Sequence, residues 1–315
     1  MLSFLCSCNI MENDSSPIPP QTGNVDRVYS VNIDGSNLKY LSYADDFITS
    51  FTGDTVFIRS NDSIYASDLD GTKKHLLTPL LFYNFWLSSG GNKICLEQAH
   101  TSDRYFINTD GSGLIKINFP VTKINSWDLS PAADKVVYSC NTGLYLINLD
   151  GSSQRLLDVA SDSSFITNVH FTPDGNAVIY FHGNFMNEQE SFIKCNLQDG
   201  TITKLFNDLG NFELSALDKI LFTSLKGIYL FDLKTNSNEL LTYGRMAHFS
   251  PDGSRFSYLD NNVMFVYNLT SVITTTFTNV VNKGLPGHYV LNSHLSSDNN
   301  RIVFQTDSSY NLPPK

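Results

Sequence analysis

HFSPDG occupies residues 248–253, and HFTPDG at residues 170–175 nearly repeats it 78 positions earlier. Pro presets φ at the first central position of a tight turn, and AspGly supplies the positive φ that completes it. The stretch therefore reads as a hairpin, and related stretches recur along the chain. They are SFTGDTVFI (50–58), WLSSGGNKICL (86–96), DLSPAADKVVY (128–138), HFTPDGNAVIY (170–180), ELSALDKILF (213–222), HFSPDGSRFSY (248–258) and HLSSDNNRIVF (294–304).

A second register runs between these copies: an apolar pair, Asn or Asp, an apolar residue and usually AspGly. VYSVNIDG (28–35), IYASDLDG (64–71), RYFINTDG (104–111), LYLINLDG (144–151), FIKCNLQDG (192–200), IYLFDLKT (228–235) and MFVYNLTS (264–271) carry it. AspGly between alternating apolar stretches is a hairpin signal. Each unit thus supplies four strands, A to B across one turn and C to D across the other. Six intervals between residues 34 and 270 give about 39 residues per unit, the length of a four-stranded propeller blade. The chain opens on a C to D hairpin (28–42) and closes on an A to B hairpin (289–307). Joined, these halves make a seventh blade and cover the edges of an open ring. The expected fold is all-β: a single seven-bladed β-propeller of four-stranded antiparallel blades over 28–315, preceded by a tether over 1–27.

Composition supports this reading and narrows the partners. Charged residues are 17% and aromatics 12% of the chain, and the net charge is −10 with no Lys/Arg cluster. Nucleic acid is not an expected partner, because affinity for it rests on cationic contacts to phosphate. Five cysteines, Cys6, Cys8, Cys95, Cys140 and Cys195, include no CxxC pair, so a structural zinc site is not expected. Cys95, Cys140 and Cys195 fall in strands of different units and read as buried thiols.

The repeat of SPDG and IYxxDxDGxxxxLT resembles the WD-like repeat of TolB-type propellers, and is similar to the propellers of prolyl oligopeptidases and of oligogalacturonate lyase. The resemblance covers residues 28–307. It implies the fold; function does not follow from it, since one architecture hosts many sites. The sequence has no GxSxG nucleophile elbow, which argues against peptidase activity. At the N-terminus, Leu5, Cys6, Ser7 and Cys8 resemble a bacterial lipobox. That resemblance implies lipidation at Cys8, a Pro-containing tether after it, and a periplasmic or surface location in the cell envelope.

Strand A lines the channel of a propeller, and its residues alternate in direction. The apolar residues Phe51, Leu87, Leu129, Phe171, Leu214, Phe249 and Leu295 are expected to pack between blades. Their predecessors Ser50, Trp86, Asp128, His170, Glu213, His248 and His294 are expected in the channel. Imidazole and carboxylate are ligands of divalent metals. The resemblance to oligogalacturonate lyase implies a metal held by His170, His248 and His294, Glu213 or Asp128 as ligand or base, and Arg245 facing a uronate carboxylate. Polar channel lining without a metal explains the same residues. A further ring, Asn84, Ser126, Asn168, Asn211 and Asn292, interrupted by Ile48 and Met246, suits hydrogen bonding to sugar, peptide or water. Trp86, Trp127 and Tyr83 read as core, with sugar stacking as the alternative. Insertions at 181–191 and 278–289 project from one face and are expected to bind a partner. The leading expectation is a monomeric, non-catalytic propeller that recognises a protein or glycan; the alternative is a metal-dependent polysaccharide lyase.

Overall fold

The computed structural model describes residues 26–307 apart from 99–100, 102, 185–188, 208–209, 216, 262, 270–272 and 277–289. The described residues form seven four-stranded antiparallel sheets, with no helix among them. Blades 1 to 6 each use four consecutive strands, and their A strands are Asp46–Thr49, Phe82–Leu87, Ser126–Leu129, Ser164–Phe171, Gly210–Leu214 and Arg245–Phe249. Blade 7 combines Val290–Leu295 and Arg301–Thr306 with Arg27–Asn32 and Lys39–Tyr43. The ring is closed by both ends of the propeller.

Closure is a full pairing. Arg27 faces Thr306 and Asn32 faces Arg301, with every residue between them in register. The Tyr29 and Phe304 rings stack across the junction at 5.6 Å. Blade 7 then packs on both neighbours: Tyr29, Val31, Leu295 and Phe304 meet Leu259, Met264 and Val266 of blade 6, while Val28, Leu41 and Val303 meet Phe47, Val56 and Ile58 of blade 1.

Burial falls from the inside outward. B strands are covered on both faces by adjacent blades, so they carry unbroken apolar runs such as Val136–Val137–Tyr138 and Ile220–Leu221–Phe222, all buried. D strands form the rim, where Ser237, Asn238, Glu239 and Leu240 are exposed. Cys95, Cys140 and Cys195 are buried and unbridged, and burial raises the thiol pKa of Cys95.

The A to B turns share one hydrogen-bond pattern. The amide of Ser88, Ser130, Thr172, Ser250 or Ser296 donates to the carbonyl five residues on, and the residue three on donates back. In the SPDG copy the Ser250 hydroxyl donates to Asp252 at 2.7 Å and accepts from the Arg255 amide at 3.0 Å. Gly91, Gly175 and Gly253 take the positive φ this turn requires, and Ala133 and Asn299 take it in blades 3 and 7.

This pattern corrects one alignment. Ser50 donates to Thr55 and Gly53 donates back to Ser50, so Ser50 is the turn residue of blade 1. The channel position is therefore Ile48, and Asp46 takes the place in the next ring that Ile48 was expected to interrupt. Phe51, expected between blades, lies in the turn and is 50% exposed. The PheThrGlyAsp sequence imitates the apolar–Thr–turn pattern two residues late, and hydrophobicity alone cannot separate the two registers. Elsewhere the expectation holds: Leu129, Phe171, Phe249 and Leu295 are buried, and Leu87 and Leu214 partly so.

The polar residues of the C to D register close their own turns. Asn32, Asn108 and Asn148 donate through their amides to Ser36, Ser112 and Ser152, and Asp68 accepts from Thr72. The insertion of blade 4 extends its B to C hairpin, with Ala177–Asn184 pairing against Gln189–Asn196 as far as Asn184 and Gln189. Its tip at 185–188, the stretch 278–289 and the N-terminal segment with Cys8 lie outside the described residues.

Candidate functional site in the central channel

Pairing across the A and B strands aligns the inner positions of all seven blades. Ile48, Trp86, Asp128, His170, Glu213, His248 and His294 stand opposite Phe57, Cys95, Val137, Ile179, Leu221, Ser257 and Val303. Six of the seven expected channel residues therefore occupy the same place in their blades.

The carboxylates of this ring are used structurally, and in the same way twice. Asp128 of blade 3 is wholly buried. Its Oδ2 accepts from the Phe171 amide of blade 4 at 3.0 Å and from the Ser89 hydroxyl of blade 2, while Oδ1 accepts from Leu129 at 2.8 Å. His170 Nδ1 lies 3.7 Å from the same Oδ2. Glu213 of blade 5 repeats the arrangement toward blade 6: its Oε2 accepts from the Phe249 amide at 3.1 Å and faces His248 Nδ1 at 3.3 Å. Each carboxylate pins the A strand of the following blade. Asp128 has no face left for a substrate, which removes it as a base. Glu213 differs, because its side chain keeps 38% of its exposure and Oε1 accepts no hydrogen bond from the described residues.

The three histidines separate into a pair and a single. The His248 and His294 rings lie 4.2 Å apart at 30°, whereas His170 is turned to Asp128 with its edge on Phe212. Among the described residues no three or more His, Cys, Asp or Glu converge as metal ligands. The expected trio is thus not assembled as a donor set. Arg245 sits exposed at the entry of its strand, separated from His248 by an irregularity at which Met246 takes φ 51°. It does not line the channel cavity.

Burial first, and then the neighbouring His248, hold the His294 pKa well below its ordinary value of 6.5. The unfolded chain takes up a proton near that value and the native protein does so only at lower pH. The contribution of His294 to stability is therefore complete above about pH 6.5 and is lost as pH falls below it. Melting temperatures from pH 8 to 5 should decline less steeply in His294→Gln than in the parent. Equal slopes would show that His294 is not the group responsible.

The next ring binds its own backbone. Asp46, Asn84 and Asn292 accept from the amides of Phe47, Phe85 and Ser293 at 2.8–3.0 Å. Burial raises the Asp46 carboxyl above its usual range despite the Phe47 amide.

A cavity of about 230 Å³ opens along the channel at the ends of the A strands, where Phe51, Ser89, Pro173 and Pro251 of the A to B turns reach it. Phe171, Phe212 and Phe249 form apolar wall, and Glu213, His170 and His294 supply the polar groups. This is the face opposite the blade 4 extension, whose Asn184 pairs with Ser164 at the start of an A strand. The described part of the blade 4 insertion, which sequence reasoning favoured for binding, is therefore on the other side of the disk from the cavity.

Two polar clusters escaped sequence reasoning. Glu97 accepts from Trp127 Nε1 at 3.1 Å and Tyr83 at 3.0 Å and pairs with Arg104 at 3.3 Å. Trp127 is core, Trp86 meets it edge to face at 4.8 Å, and Tyr83 is 47% exposed. Between blades 3 and 4, Asp158 accepts from Tyr180 at 2.7 Å and lies 3.1 Å from His182. The available signal was a charged or polar residue late in an otherwise apolar B strand, as at Glu97 in KICLEQ (93–98) and His182 in AVIYFHGN (177–184).

No family model matches the chain, and no curated protein matches it in sequence. Solved structures do match. A TolB-designated protein of Agrobacterium tumefaciens is 14% identical with a TM-score of 0.50, over 92% of this chain and all of that one. The likeness is one of fold, a ring of four-stranded blades. An oligogalacturonate lyase in complex with manganese is 10% identical with a TM-score of 0.57, over 90% of this chain and 82% of the lyase. TolB of Acinetobacter baumannii is 13% identical with a TM-score of 0.49, over 92% of this chain and 65% of that one. At these identities the TolB-type likeness extends to architecture and not to side chains.

Proposed function

We propose that this protein is a non-catalytic binding propeller of the bacterial cell envelope whose channel receives part of a protein or glycan partner. The observation that carries the reading is the use of the ring carboxylates. Both accept from the backbone of the next blade, and Asp128 is sealed, so the ring carboxylates serve first to hold the walls of the cavity. The TolB-type architecture supports a scaffold of this kind, and the lipobox pattern at Cys8 supports attachment to a membrane through lipid.

The histidine pair favours the lyase alternative, and the structural likeness to a manganese-bound lyase raises it. Against it stands the donor set, since among the described residues no three His, Cys, Asp or Glu are grouped to hold a metal. A direct test is incubation of the full chain with polygalacturonate, with and without manganese, following the absorbance of unsaturated uronate near the ultraviolet limit. No product is expected. Turnover that disappears in His248→Ala would reject the binding reading. The envelope assignment is checked by metabolic palmitate labelling, expected in the parent and lost in Cys8→Ser; an unlabelled parent would remove the lipid anchor.

A further inference from the structure

The cavity is selective in charge, and the selection follows from its walls. Across the inner ring and the ring beside it, the fixed charges are Asp46, Asp128 and Glu213, and no position holds Lys or Arg. Asp128 is spent on blade 4, and Asp46 is held by the Phe47 amide. Glu213 is the carboxylate that lines the cavity, with Oε1 unengaged by the described residues. Around it stand Phe171, Phe212 and Phe249, and Phe51 is half exposed at the turn end.

Building on the binding reading of this channel, we propose that the cavity takes an alkylammonium or guanidinium group carried on a short apolar stem. The cation would meet Glu213 Oε1 as a charge-assisted hydrogen bond, and the stem would lie against the phenylalanine rings, whose faces attract cations. Size agrees, because about 230 Å³ lies below the roughly 300–1,000 Å³ of pockets for drug-sized ligands and suits a small amine or one side chain. Long-range charge agrees as well, since a protein of net charge −10 attracts cations before contact. An anionic sugar would instead place its carboxylate beside Glu213 with no cation in the wall to offset it.

The same carboxylate also faces His248, which is itself flanked by His294 and influenced by Asp46. His170 faces Asp128 and meets Phe212 at right angles.

Titration calorimetry on the full chain tests this with phenethylamine and agmatine, their neutral and anionic counterparts phenethyl alcohol and phenylacetate, and short peptides with or without one Lys or Arg. The cations are expected to bind, with about tenfold weaker binding in Glu213→Gln. Gln keeps an acceptor for the Phe249 amide, and Phe51→Ala, at an exposed turn, gives a second variant that should weaken binding without unfolding. Binding of free amines points to a small-molecule source, and binding confined to the Lys or Arg peptides points to a protein side chain. Absence of binding by every cation, or affinity unchanged in Glu213→Gln, overturns the proposal. Phe51-dependent binding of the neutral or anionic probes instead would overturn the charge selection and leave the binding reading standing, whereas uronate turnover would remove both.

Discussion

Deleting residues 1–43 should abolish cooperative melting of the propeller. The deletion takes away the two outer strands of blade 7, and with them Val28, Tyr29, Val31 and Leu41, all buried. Full burial of one such side chain contributes about 1.5–3 kcal/mol, so the four together contribute roughly 6–12 kcal/mol, as much as the ~5–15 kcal/mol net stability of a typical domain. The loss is compounded because Arg301–Thr306, covered by Arg27–Asn32 in the native ring, becomes an open edge with an apolar sequence, which favours aggregation. Circular dichroism melts and size-exclusion chromatography check this. A monomeric truncated chain with an unchanged sharp transition would show that the ring does not depend on its closure.

The second large effect is expected at Asp128. Replacement by Ala leaves the Phe171 and Leu129 amides without their acceptor in a site closed to solvent, and takes the partner from the Ser89 hydroxyl at the edge of the cavity. An unsatisfied buried donor costs about 1–3 kcal/mol, so a loss of roughly 3–5 kcal/mol is the expected scale, comparable to breaking a buried charge network. Asn should rescue little. Both carboxylate oxygens accept hydrogen bonds, and the Asn amide nitrogen would turn a donor toward one of the donors. Glu213→Ala, at a partly exposed site, should cost about 1 kcal/mol. Urea titrations of the three variants measure the contrast; equal, small losses would mean that Asp128 does not pin blade 4.

These two residues also show why the sequence suggests chemistry that the structure redirects. A ring of His, Asp and Glu at one repeat position looks like a ligand or catalytic set, because the repeat specifies which position faces the axis. It does not specify rotamers. The Asp128 carboxylate turns sideways to a backbone amide one blade on, 43 residues away, and that choice depends on the distance between blades. The blade 1 register is a second case. Ser50 and Thr52 both offer a hydroxyl after an apolar strand, and the hydrogen bond from Ser50 to Thr55 decides between them.

By itself the sequence determined the all-β class, the number of blades, the four-stranded unit and closure by both ends. Each of these follows from local turn chemistry and alternation repeated seven times, so an error in one copy is corrected by the others. Tertiary structure alone decided the channel's contents: which carboxylates are spent, that His248 and His294 meet while His170 stands apart, and that the cavity opens on the turn face. Those outcomes depend on contacts between blades, where residues far apart in sequence compete for the same few acceptors, and no local pattern records which of them wins.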